Sequence, residues 1–457
     1  MEKICKDVLI IGGGPAGYLA AERAAAGRLS VTLFEESALG GVCLNEGCMP
    51  TKTLLHSAKI YDYAQNGAAY GVTAANVALD HNFVIDRKEK VVKTLVSGVE
   101  AKMRMHKAIE LVKAAASISG RKNGEFAVKA NGVTHYGRYL LLATGSAPIV
   151  PQIAGMHEGI ADGYVLTSRE ILDLRTVPKK LAVIGGGIIG LEMAAYFAAA
   201  GSQVIVIEMM EKIGGYIDSE ISALLMKDLQ KKGIEFHLGC RVTGISPKSL
   251  TYEKDGIATL IETELVLAAI GRGARIDGIG LETIGIHTER GAIVTDKYLR
   301  TNIPGVYAIG DVNGKSMLAH TAYREAEVAI NHILRKRDVM RYDAIPSVIY
   351  TSPEVACVGE TEESARDKGI EYIVKKLSMR YSGRFVAEND KTDGLCKLLV
   401  EKGSGRLIGV HLIGSYASEI IYGAAMMIES CWPINDLQEL VFPHPTVSEI
   451  IRETLFS

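Results

Sequence analysis

VLIIGGGPAG at residues 8–17 returns as LAVIGGGIIG at residues 181–190. A strand that ends in G-x-G-x-x-G and runs into a helix has few ways to fold. The first glycine permits the turn, the second lets the backbone approach a pyrophosphate, and the third lets helix and strand pack closely. Here these are Gly12, Gly14 and Gly17, and again Gly185, Gly187 and Gly190. The N-terminus of each following alanine-rich helix then faces the phosphates. The 173-residue spacing is too long for a solenoid repeat. It predicts two Rossmann-like domains and two dinucleotides.

Each copy ends its second strand in an acid at the same offset. Glu35 lies 23 residues past Gly12, and Glu208 lies 23 past Gly185. A carboxylate there accepts hydrogen bonds from ribose hydroxyls and repels a 2′-phosphate. Glu208 is followed by Met209, Met210 and Glu211, so the second copy is expected to take NAD rather than NADP.

Composition narrows the partners. The 457 residues are 48% hydrophobic and 23% charged, with a net charge of -2, which describes a globular chain of several domains. Nothing in that balance favours nucleic acid or an anionic membrane. The N-terminus shows no secretory pattern and no apolar stretch is long enough to span a bilayer, so a cytoplasmic location is expected. Seven scattered cysteines fit a reducing compartment.

YLLLATGS at 139–146 and GVYAIGD at 305–311 read as strands returning to these domains, the latter ending in Asp311, which suits ligand hydroxyls. The tail, with an alternating CKLLVEKGSGRLIGVHLIG pattern and an apolar helix near 418–429, reads as α+β. The expected fold class is therefore α/β, with two Rossmann-like dinucleotide-binding domains and a C-terminal α+β domain. Boundaries are drawn at 1–147 and 271–337 for the first domain and its return, 148–270 for the second, and 338–457 for the tail.

GGVCLNEGC, residues 40–48, sets Cys43 and Cys48 five positions apart. No second cysteine pair or histidine cluster lies nearby to complete four zinc ligands, so no metal is expected. In a regular helix residues five apart rise about 7.5 Å, while a disulfide wants Cα atoms within about 7 Å. A bridge would need a distorted turn, which Gly47 can supply. It would close too short a loop to stabilise the fold much and would suit exchange. Pro50 favours a helix start, where a thiolate at Cys48 is stabilised.

GGVCLNEGCMPTK, the doubled fingerprints, ATGS, T-x-x-P-G-V-Y-A-I-G-D and the terminal HPTVSE together resemble the flavoprotein disulfide reductases over essentially the whole chain. The resemblance implies that the first fingerprint, Glu35 and Asp311 hold FAD. It implies likewise that the second fingerprint and Glu208 hold NAD, and that Cys43 and Cys48 form a redox disulfide beside the flavin. Lys52 matches the family's lysine near the flavin and is expected to pair with Glu192; Thr144, Gly145 and Gly271 are further cofactor contacts. His444 matches the family's base, with Glu449 as its partner. From the residues alone, Thr446-x-x-Glu449 is equally a capping box, and both readings stand at this point.

Within the family, the absence of basic residues after Glu208, Ile188 in place of a tyrosine, and a tail RETLFS without cysteine resemble the lipoamide-oxidising branch. This implies an NAD-dependent oxidoreductase working on lipoyl domains of 2-oxo acid dehydrogenase complexes or on the glycine cleavage carrier protein. It implies also a homodimer in which the tail domain crosses the two-fold axis. The rival readings are another disulfide reductase, an NADH oxidase or transhydrogenase, and an assembly subunit whose redox activity is incidental.

Overall fold

The computed structural model describes residues 4–390 and 393–457. The chain divides into two compact units: residues 1–53, 86–149 and 271–341 form the first, and residues 54–85, 150–270 and 342–457 the second.

The first unit is built on a seven-stranded sheet. Its parallel part runs Ile109–Lys113, Val31–Glu35, Ile4–Ile11, Val133–Leu142, with Val306–Ala308 also parallel to Val133–Leu142. Antiparallel Glu125–Ala130 and Ala116–Lys122 extend it. The apolar runs predict this burial: Val8, Leu9 and Ile10 are fully buried, as are Leu140, Leu141 and Leu142. Strands covered on both faces show continuous rather than alternating hydrophobicity. The register aligns Ile11 with both Phe34 and Leu142, and Leu142 with Ala308. The carboxyl ends of four parallel strands therefore finish level, and Gly12, Glu35, Thr144 and Asp311 follow or close them. Crevices at such strand ends are where open α/β sheets bind ligands.

The second unit repeats the plan in a five-stranded parallel sheet, ordered Ile234–Leu238, Gln203–Glu208, Lys180–Ile184, Leu265–Ala268, Val165–Thr167. Gly185, Glu208 and Ala269 stand at its carboxyl edge. The same unit holds an antiparallel five-stranded sheet in the order Ser347–Ile349, Glu354–Gly359, Leu407–Gly414, Leu395–Glu401, Tyr372–Ser378. Helices Ala417–Ser430 and Glu449–Phe456 pack their apolar faces, among them Ile421, Ala424, Ile450 and Leu455, into its core. The alternating hairpin and the apolar tail helix thus fold as expected.

A buried ion cluster ties this sheet to the nucleotide-binding layer. Lys397 is 1% exposed and lies 3.0 Å from Asp218, 3.1 Å from Glu220 and 2.5 Å from Glu362. Asp218 also caps the helix Ser219–Lys231 through the amides of Glu220 and Ile221. Burial alone would lower the Lys397 pKa, but hydrogen bonds to Glu362 and Asp218 outweigh it and hold the ammonium charged.

Candidate active site

The two fingerprints have the same geometry. At Gly12, φ is +105°, and an added methyl would meet the Ala143 carbonyl carbon at 2.7 Å; Gly185 has the same φ and faces Ala269 at 2.9 Å. A methyl on Gly17 would overlap the Gly12 carbonyl oxygen, and one on Gly190 that of Gly185. The middle glycines differ: beyond Gly14 the nearest atom is Gly41 Cα at 3.7 Å, and beyond Gly187 nothing lies within 4 Å. Two glycines of each motif are required by packing, and the third leaves open space at a helix N-terminus. That cradle fits a dinucleotide pyrophosphate in both places.

The two acids are also held alike. Glu35 Oε2 accepts the Gly13 amide at 2.7 Å and Oε1 the Ser37 amide at 2.8 Å. Glu208 Oε2 accepts Gly186 N–H at 2.6 Å and Oε1 accepts Met210 N–H at 2.8 Å. Charge-assisted bonds of this kind are short and strong. Each carboxylate is locked against its own glycine turn, with lone pairs left for ribose hydroxyls.

Cys43 sits on the short helix Gly41–Asn45, and Cys48 opens the helix Cys48–Asn66. The break between them falls at Glu46 and Gly47, with Glu46 N–H donating to Val42 O at 2.8 Å and Thr51 N–H to Gly47 O at 3.1 Å. Asn45 Nδ2 bonds Leu39 O at 3.1 Å and Gly41 O at 2.9 Å, stapling the turn. The cysteines stand as two half-buried thiols. The neighbouring Cys48, then burial, pushes the Cys43 thiol far up, and Lys52 opposes the shift. Cys43 therefore keeps its proton, and Cys48 stands at a helix start, the kind of position where a thiolate is favoured.

Asp311 follows the strand Val306–Ala308. Ser146 Oγ donates to its Oδ2 at 2.5 Å. Arg272 in turn donates from Nε to Ser146 Oγ at 2.8 Å and from Nη2 to Ser146 O at 2.7 Å. Burial raises the Asp311 pKa, and Ser146 and Arg272 pull it back. Arg272 is itself partly desolvated, with Asp311, Glu46 and Cys48 supporting its charge. Nearby Thr144 Oγ1 donates to Arg275 O at 2.6 Å, Gly145 has φ +73° and Gly271 has φ +121°.

Sequence reasoning missed Arg272 and Ser146 as partners of Asp311. Only ATGS, which contains Ser146, carried a signal. It also missed a tyrosine pair, Tyr18 and Tyr323, whose hydroxyls lie 2.5 Å apart and whose pKa values burial raises.

Glu192 is 2% exposed, and its Oε1 accepts the Tyr350 amide at 2.9 Å. His444 lies between two prolines with its side chain 78% exposed, and its Nδ1 is 2.9 Å from Glu449 Oε1. Glu449 Oε2 meanwhile accepts Thr446 N–H at 2.9 Å. The capping box is thus only half made. The helix cap falls on Ser448, which makes no side-chain cap bond, and Thr446 Oγ1 turns to Pro443 O and Ser448. One carboxylate serves both roles left open by the sequence. The Thr446 amide, and then His444, hold the Glu449 carboxyl below the usual carboxylate range. The thiol pair belongs to the first unit and the histidine pair to the second.

Among the described residues no helix is long and apolar enough to cross a membrane, and no group of histidine, cysteine and acidic residues could hold a metal ion.

Paired fingerprints, a thiol pair at a helix start and a separate antiparallel domain define a two-dinucleotide redox flavoprotein, and the comparisons agree. Residues 6–326 match the pyridine nucleotide-disulphide oxidoreductase family and residues 345–455 match its dimerisation domain. The chain belongs to this family. It is 37% identical over 453 residues to the dihydrolipoyl dehydrogenase of Mycoplasma pneumoniae, covering 98% of this chain and 97% of that protein. It is 36% identical to the mitochondrial dihydrolipoyl dehydrogenase of Pisum sativum, covering 98% and 90%. Among solved structures it resembles the HOCl-induced flavoprotein disulfide reductase RclA of Escherichia coli, at 26% identity and TM-score 0.86 over 98% of this chain and 99% of that one. Within the family the chain is thus a near-full-length homologue of dihydrolipoyl dehydrogenases, which are NAD-dependent flavoenzymes.

Proposed function

We propose that this protein oxidises dihydrolipoamide carried on a lipoyl domain, of a 2-oxo acid dehydrogenase complex or of the glycine cleavage carrier protein, with NAD as acceptor. It works as a homodimer in the cytoplasm. The observation that carries the reading is the pair Cys43 and Cys48 on either side of a helix break, in a unit that also holds a dinucleotide cradle and Asp311.

In this reading the oxidised resting form carries a Cys43–Cys48 disulfide. His444, oriented by Glu449, takes the proton of one substrate thiol, and the resulting thiolate attacks Cys43 Sγ and expels Cys48 as thiolate. The second substrate thiol attacks the substrate sulfur of the mixed disulfide and expels Cys43, and its proton and the one held by His444 pass to the two cysteine sulfurs. Lipoamide leaves closed, and Cys43 and Cys48 are left in the dithiol form described above. A bound FAD would supply the two-electron chemistry that links this dithiol to hydride reduction of NAD. The fingerprint at Gly12–Gly17 with Glu35, Thr144, Gly145 and Asp311 binds the flavin nucleotide, with Lys52 close by. The fingerprint at Gly185–Gly190, with Glu208, binds NAD. His444 is exposed on a dimerisation domain, which suits a base that serves the partner subunit.

The test is anaerobic addition of dihydrolipoamide and then NAD to the FAD-loaded protein. NADH is expected to form in proportion to dithiol consumed, and to be abolished in Cys43→Ser. NADH formation that survives this substitution unchanged would refute the reading.

A further inference from the structure

Glu325 lies in the middle of the helix Ala319–Ile333 and is fully buried. Its Oε2 accepts two hydrogen bonds, from Gly310 N–H at 2.5 Å and from Asn313 Nδ2 at 2.9 Å. Those donors bracket Asp311 on either side. Gly310 has φ +76° and ψ -160°, a conformation that glycine alone adopts readily. Ala16 and Ala322 close the space a side chain would need there, at 3.2 and 3.5 Å. Asn313 Oδ1 continues the chain of bonds by accepting Lys315 N–H at 3.0 Å. The single turn Asp311–Asn313 is also tied by Asn313 N–H to Gly310 O at 3.1 Å and by Gly314 N–H to Asp311 O at 3.0 Å.

A buried carboxylate is costly unless its oxygens are satisfied by directed donors. A loop carbonyl would satisfy a lone amide just as well, so the acid must offer something more. It offers one charged oxygen that fixes backbone and side chain on the two flanks of a single residue. The carboxylate of that residue, Asp311, is held through Ser146 Oγ, with Arg272 behind the serine.

We propose that Glu325 is a positioning residue for the flavin site: acting through Gly310 and Asn313, it aims the Asp311 carboxylate at the ligand. This rests on Asp311 being a flavin ligand. Glu325 touches no cofactor in this account; it makes Asp311 arrive pre-oriented, so that binding does not have to order the turn.

The experiment is a double-mutant cycle on FAD affinity, measured by flavin fluorescence as FAD is titrated into the deflavinated full-length protein. Asp311→Asn should weaken FAD binding by about tenfold or more, as expected for losing a charge-assisted bond. Glu325→Ala should weaken it by a similar factor. In the Asp311→Asn background Glu325→Ala should cost less than about twofold, since there is no carboxylate left to aim. Glu325→Gln, which can still offer one oxygen to both donors, should recover most of the affinity. If Glu325→Ala does not fold, Asn313→Ala takes its place in the cycle with the same expected coupling. Multiplying factors in the double mutant would overturn the positioning role, because a structural defect does not depend on Asp311. An Asp311→Asn protein with unchanged affinity would instead overturn the assignment of Asp311, and the proposal with it.

Discussion

Placing one methyl group at two positions of the same fingerprint separates packing from cofactor binding. In Gly17→Ala the new Cβ overlaps the Gly12 carbonyl oxygen and lies 2.9 Å from its carbon. Carbon atoms pack at about 3.5–4.0 Å, so the helix Pro15–Ala26 must move off its strand by roughly 1 Å. Gly12 cannot yield. Its amide is bonded to Phe34 O at 2.9 Å, and it is already packed on Ala143. Overpacking of this kind costs about 1–3 kcal/mol, and backbone on both sides places it near 3. Gly14→Ala meets nothing closer than 3.7 Å, and its φ of -71° with ψ of -171° is open to any residue. A gain of about 0.4–1 kcal/mol from a stiffer unfolded chain roughly cancels the poorer capping of alanine. The assays are denaturant unfolding of the deflavinated protein and FAD titration. Gly17→Ala should lose about 3 kcal/mol without cofactor. Gly14→Ala should stay within about 0.5 kcal/mol of wild type yet bind FAD at least tenfold more weakly, because its methyl fills the cradle. Equal destabilisation by both substitutions, or undiminished FAD affinity in Gly14→Ala, would refute the reasoning. The second fingerprint should repeat the pattern, with Gly190→Ala unstable and Gly187→Ala impaired for NAD alone.

Lys397→Met leaves Asp218, Glu220 and Glu362 around an apolar side chain and should cost about 3–5 kcal/mol in denaturant unfolding; a loss below about 1 would mean that water replaces the ammonium without penalty. Glu449 has a depressed carboxyl pKa, so its contribution to stability is full above the unfolded value near 4.3 and is lost as pH falls through the folded value. Glu449→Gln and wild type should therefore converge in stability at low pH, and a gap that persists in strong acid would contradict this. For the dimer, Cys43→Ser and His444→Gln homodimers should each fail to oxidise dihydrolipoamide, while a refolded equal mixture should recover roughly a quarter of wild-type activity. No recovery, with heterodimers shown to be present, would mean that His444 serves its own chain. Glu208 predicts a better specificity constant for NAD than for NADP, and steady-state kinetics with both would show otherwise if the carboxylate does not discriminate.

What the sequence determined by itself is local. The glycine spacing, the acid at a constant offset and the cysteine pair before Pro50 each concern residues that share one turn or one strand-helix unit, where short-range sterics decide the outcome. Even the returning strands at 139–142 and 306–308 were legible, since continuous apolar runs demand a sheet interior. The doubt over Glu449 was equally local but could not be resolved, because capping and histidine pairing ask for the same residue at the same spacing. Only the backbone path from Pro443 to Ser448 gives each task one oxygen of the carboxylate. What the tertiary structure alone decided is which distant groups meet at the strand ends. Ser146 reaches Asp311 across 165 residues and Arg272 reaches Ser146 across 126, and no periodicity encodes such pairs. Glu325 lies closer in sequence, 15 residues from Gly310, yet reads there as an ordinary helical glutamate. Its burial follows from the packing of that helix against Gly310, and a buried charge has meaning only once its donors are known.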